Sequence, residues 1–97
     1  MPTYIALLNY TDQGAKNMKG APERVLAARQ AVENMRGRFH SYRLTLGEYD
    51  AVVTIDAPDD EAYATFVLNV AAQGNIRTTT LKAFSKEESF RILGNLS

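Results

Sequence analysis

The apolar positions divide the chain into short strand-like runs and longer stretches at helical spacing. Thr3 to Tyr10 is apolar on both parities, with Ile5 and Leu7 on one and Tyr4, Ala6, Leu8 and Tyr10 on the other. A strand of that kind belongs inside a sheet, covered on both sides. Thr11 or Asp12 caps a helix start, and Gly14 and Gly20 weaken the segment that follows. Ala21-Pro22-Glu23 restarts it, with Pro22 in the first turn, where a missing N–H costs nothing. Val25, Ala28, Val32 and Met35 then form one apolar stripe, which Gly37 ends.

Arg38 to Leu46 reads as a second strand, with Tyr42, Leu44 and Leu46 on one parity and Ser41, Arg43 and Thr45 on the other. One-sided patterning suits an edge. A Gly47–Tyr49 turn leads through Asp50 into Ala51-Val52-Val53-Thr54-Ile55, a β-branched third strand. Pro58-Asp59-Asp60-Glu61 starts a helix with acids at the positive end of its dipole. Tyr63, Phe66, Val67, Val70 and Ala71 carry its stripe and Gly74 stops it. Ile76 to Phe84 is the fourth strand. Ser85-Lys86-Glu87-Glu88 has the form of a capping box and opens a C-terminal helical tail over 85–97, with Phe90, Leu93 and Leu96 as anchors.

The order strand–helix–strand–strand–helix–strand predicts a single α+β domain over 1–97. It is a ferredoxin-like βαββαβ fold, a four-stranded antiparallel sheet of order 4-1-3-2 with both helices on one face. The other face is then bare. Placing Leu7 and Val53 toward the helices leaves Tyr4, Ala6, Leu8, Tyr10 and Val52 on the bare side, an apolar patch large enough to call for a second copy of the chain. These five are the expected oligomer interface.

Composition narrows the chemistry. Eleven basic and eleven acidic residues cancel in 97, so no global field draws nucleic acid or an anionic membrane. There is no Cys and only one His, His40, which leaves no thiolate nucleophile and no multi-histidine metal site. No cofactor motif is present. The start, Met1-Pro2-Thr3, has neither a signal-peptide pattern nor a membrane span, and the expectation is a soluble cytoplasmic protein.

The topology brings the first strand's end, the second–third hairpin and the fourth strand's start to one end of the sheet. Asn9, Glu48, Tyr49, Asp50, Arg77 and Thr78 are therefore the candidate ligand-binding residues for a small organic or anionic molecule. Glu48 and Asp50 stand against a reading as turn acids. Arg77 stands against a structural ion pair with Asp50, and Asn9 and Thr78 against satisfying buried backbone groups. Tyr49 and Tyr10 wall a pocket or pack at a subunit contact. Gly47 supplies positive φ. His40 lies at the opposite end.

Taken together, Pro2-Thr3-Tyr4-Ile5, Leu8-Asn9-Tyr10-Thr11-Asp12-Gln13-Gly14, Thr45-Leu46-Gly47-Glu48-Tyr49-Asp50, Ala57-Pro58-Asp59-Asp60-Glu61 and Gly74-Asn75-Ile76-Arg77-Thr78-Thr79-Thr80-Leu81 resemble the GYD-domain family of small bacterial and archaeal proteins. The resemblance runs from Pro2 to about Glu88. It implies a subunit of the dimeric α/β-barrel kind and a homo-oligomer, without fixing a reaction. Three functions stay open: a small-ligand-binding protein, an assembly module without a ligand, and a cofactor-independent monooxygenase- or isomerase-like enzyme.

Overall fold

A computed structural model describes all 97 residues. The strands are β1 (Thr3–Tyr10), β2 (Arg38–Leu44), β3 (Ala51–Asp56) and β4 (Ile76–Ala83). The helices are α1 (Asp12–Lys16), α2 (Ala21–Asn34), α3 (Asp60–Ala72) and α4 (Lys86–Gly94), and a 3₁₀ turn at Met18–Gly20 joins α1 to α2. The antiparallel sheet has the order β2-β3-β1-β4, the expected ferredoxin-like arrangement. β2 stops two residues short of the expected Leu46. The chain then rounds a loop in which Gly47 has φ +119°, a region that favours glycine, as anticipated.

Register decides which face of β1 is buried. Ala6 pairs with Val53 and Leu7 with Val52. Tyr4, Ala6, Leu8, Ala51, Val53 and Ile55 therefore share the helix-facing side, and they form the core with Val32 of α2 and Tyr63 of α3. The Tyr4 ring stacks on Tyr63 with centroids 4.1 Å apart and planes 6° from parallel. Such a contact contributes about 1 kcal/mol beyond its burial.

This corrects the expected interface. Tyr4, Ala6 and Leu8 lie beneath the helices, and Tyr10 turns the same way to line a cavity there; of the five expected residues only Val52 is on the bare face. The expected placement also put Leu7 and Val53 on one side, which the register forbids. The physical reason is that β1 is apolar on both parities, so its own pattern chooses neither face. The choice is made by β3, whose Val53 and Ile55 are the more deeply buried set.

The bare face is made by Ile5 and Leu7 of β1, Val52 and Thr54 of β3, Arg43 of β2, and Arg77, Thr79 and Leu81 of β4. α4 projects beyond the sheet and extends the molecule to 51 Å in its longest dimension. Its capping box is complete, with Ser85 and Glu88 exchanging side-chain and backbone hydrogen bonds. Its Phe90, Leu93 and Leu96 side chains are exposed.

Candidate functional site

At the hairpin end the loop folds back on β1. The Asp50 N–H donates to the Leu8 carbonyl at 2.8 Å, and the Tyr10 N–H donates to Asp50 Oδ2 at 2.9 Å. An aspartate there supplies the acceptor that β1 lacks beyond its last pair with the start of β3, Leu8 with Ala51. Thr45 closes the loop neck, its N–H donating to the Asp50 carbonyl and its hydroxyl to the Tyr49 carbonyl at 2.6 Å. Glu48 is exposed at the tip and Tyr49 is half-buried.

Beside it two loops are clasped together. Thr11 caps α1, accepting from the Gly14 N–H, and its own hydroxyl donates to the Gly74 carbonyl at 2.6 Å. The Thr11 N–H donates to the Asn75 carbonyl, and Gln13 reaches the Gln73 carbonyl and Asn75 Oδ1. Gly14 makes the approach possible: a Cβ there would stand 2.0 Å from the Asn75 carbonyl oxygen.

The six candidate residues are thus divided by the sheet. Asn9 and Arg77 are register partners on the bare face. Thr78 pairs with Leu8 and looks the other way, into the space under the helices. Asp50 is engaged with Tyr10 rather than Arg77; no Asp50–Arg77 ion pair forms. Thr80 also turns to the helix side, where its hydroxyl meets that of Tyr63 at 2.7 Å.

Two polar clusters lie at the far end. His40, the extra residue where the β2–β3 register shifts, places Nε2 2.8 Å from Asp56 Oδ2, and the Thr3 hydroxyl donates to Oδ1 at 2.7 Å. The threonine donates to the carboxylate and not to the imidazole, so the trio lacks the hydroxyl-to-base order of a nucleophilic triad. Burial alone would raise the Asp56 pKa. The bonds from Thr3 and His40 and the charges of His40 and Arg38 outweigh it and hold the carboxyl below its ordinary range. The second cluster joins the Tyr4 hydroxyl and Lys82 to Asp60.

A folded-state pKa below the unfolded value means that Asp56 stabilises above about pH 4 and that this contribution is lost as pH falls through the folded pKa. Asp56→Asn is therefore expected to melt at lower temperature than the parent at pH 7, with the two curves converging as pH falls through the lowered folded-state value. Melting scans from neutral to acid check this, and a constant offset between the curves would show that the Asp56 charge plays no part.

Under the helices, all four strands face α2 and α3 across an apolar cavity of about 80 Å³, which the sequence reading did not anticipate. Arg24 of α2, Tyr10 of β1 and Tyr42 of β2 are among its lining residues, and the two tyrosine hydroxyls lie 2.6 Å apart. The available signal was a charge next to the α2 stripe, four residues before Ala28.

A family profile described as GYD domain matches residues 4–93. A Thermus thermophilus protein named glutamine synthetase and cystathionine beta-lyase binding protein is 37% identical over 84 residues, covering 86% of this chain and 88% of its own. The crystal structure of TTHA0845, also from Thermus thermophilus, superposes with a TM-score of 0.56 at 23% identity, over 88% of this chain and 95% of that one. The feast or famine regulatory protein of M. tuberculosis, complexed with L-methionine, gives 0.58 at 14% identity, over 89% of this chain and 52% of that one. The two structures share its fold.

Proposed function

The chain belongs to the GYD-domain family, and on that premise we propose that it is a small homo-oligomeric binding protein whose partners are other proteins. Two copies join through the bare sheet face, and the pair offers its projecting C-terminal helices to a partner. The observation that carries this reading is the apolar surface that the chain's own helices leave uncovered. Ile5 and Leu7 of β1, Val52 of β3 and Leu81 of the edge strand β4 are the apolar side chains of that face, and burying them against a second copy removes them from water without new elements. Phe90 and Leu93, one turn apart on α4, are 63% and 59% exposed and suit insertion into a groove. The relative named for binding glutamine synthetase and cystathionine β-lyase supports an enzyme subunit as the partner class.

The test uses the intact chain and purified glutamine synthetase on a sensor surface. Light scattering should report a dimer, and the surface should capture the parent but not a Phe90→Ser/Leu93→Ser variant that is still dimeric. A stable monomer, or equal capture of parent and variant, overturns the reading.

A second reading rests on Arg77, which is exposed beside Asn9 with no carboxylate within ion-pair distance. There the pair would hold a small anion at the rim of the joined face. Loss of anion binding in Arg77→Ala supports it, and unchanged binding removes it.

A further inference from the structure

α4 places a cation on the same side as its two large apolar residues. At roughly 100° per residue around the axis, Lys86 falls between Phe90 and Leu93, one turn toward the N-terminus. Contact confirms the shared face: Lys86 Nζ stands 5.7 Å from the centre of the Phe90 ring. Lys86 is exposed, and no carboxylate lies within ion-pair distance of it. Its charged neighbours are committed or turned away. Glu88 accepts from the Ser85 N–H at 2.9 Å, and Arg91, roughly 100° beyond Phe90, leaves the face. Lys86 also works against its own helix. It is the first residue of α4 after the Ser85 cap, where the positive end of the dipole disfavours a cation, and the next two positions hold acids, Glu87 and Glu88. The interaction the structure gives its ammonium is with the Phe90 ring. A groove that takes in the ring removes that contact and draws the ammonium toward an apolar wall, a costly place for an unpaired charge.

Resting on the reading of α4 as the docking element, we infer that the partner's groove presents a carboxylate to Lys86. The face then docks at three points. Phe90 and Leu93 enter apolar pockets, and the Lys86 ammonium leaves the ring for an acidic side chain at the end of the groove, beside the Phe90 pocket. The two apolar side chains supply the burial, and Lys86 selects. A groove of the same shape without the acid strands the ammonium, and one with a basic rim repels it. Lys86 is thus a specificity-determining residue. It narrows the partner class from an enzyme subunit with an apolar groove to one whose groove ends in an acid.

Lys86→Glu separates this from an effect on the helix, because the two have opposite signs. An acid at the first position favours the helix, so if helical population alone counted, the variant would be captured more tightly than the parent. Against a carboxylate it should bind glutamine synthetase more than ~30-fold more weakly, while circular dichroism shows no loss of helix. Lys86→Gln should weaken capture roughly tenfold and flatten its dependence on salt between ~50 and ~500 mM. Arg91→Gln, off the face, should change capture less than about twofold. Light scattering should report the parent mass for all three. Equal or tighter capture of Lys86→Glu, or an equal loss in Arg91→Gln, overturns the inference and leaves the reading of α4 standing. A change of mass in Lys86→Glu overturns it by assigning the face to a second copy. If glutamine synthetase captures the parent no better than the Phe90→Ser/Leu93→Ser variant, the reading of α4 fails first and this inference with it.

Discussion

Leu7→Lys is expected to give a folded monomer, and Leu8→Lys an unfolded chain. The two residues are neighbours in β1, yet register puts Leu7 opposite Val52 on the bare face and Leu8 opposite Ala51 beneath the helices, where it is 7% exposed. Lysine at position 8 loses the burial of a leucine, about 2–5 kcal/mol, and adds an ammonium among Ala6, Val53 and Ile55. That sum is a large part of the ~5–15 kcal/mol that holds a domain together. Lysine at position 7 leaves the core alone. In a two-fold interface it is present twice, so dimerisation should weaken by more than ~100-fold. Circular dichroism reads the fold and light scattering reads the mass, against 10.8 kDa for one chain. If Leu7→Lys remains assembled, copies do not meet through this face.

Gly14→Ala should destabilise the protein by about 3 kcal/mol. Its added methyl would meet the Asn75 carbonyl oxygen at 2.0 Å, and the obstacle is backbone, not a side chain that can swing away. Relief requires the α1 loop to part from the loop before β4. That parting breaks the Thr11 N–H bond to Asn75 and the Thr11 hydroxyl bond to Gly74. Urea melts of the parent and variant measure the cost. A loss under about 0.5 kcal/mol would show that the clasp has slack.

The fold was legible because each element carries its own punctuation: Pro22 and Pro58 near helix starts, Asp59 and Ser85 as caps, Gly74 as a stop. The GYD-domain resemblance was legible for the same reason, in short stretches set at turns. The faces of β1 were not. Ile5, Leu7 and Leu8 are equally apolar, and only pairing with β3 distinguishes them. The gathering of Asn9, Asp50, Arg77 and Thr78 at one end followed from strand order, but their division by the sheet depends on parity, which topology leaves open. Asp50 reads in sequence as a turn acid or an ion-pair partner, and the structure gives it a backbone partner, Tyr10. Arg24 carries only the signal of its place four residues before Ala28; a charged residue on a helix ordinarily faces water, and only the packed structure reveals a buried guanidinium nitrogen.

The projecting α4 has a further consequence. A helix of nine residues with no buried side chain is short of the ~12–15 at which isolated helices become appreciably populated. Its helix–coil balance therefore rests on the reciprocal bonds between Ser85 and Glu88. Any partner that grips Phe90 and Leu93 in helical form binds only the helical fraction, and the apparent dissociation constant is the intrinsic one divided by that fraction. Ser85 thus sets affinity at a distance, through the population of the competent state, without touching the partner. Losing the cap would cost about 1 kcal/mol of helix stability, about a fivefold change in affinity wherever the helix is the minor form.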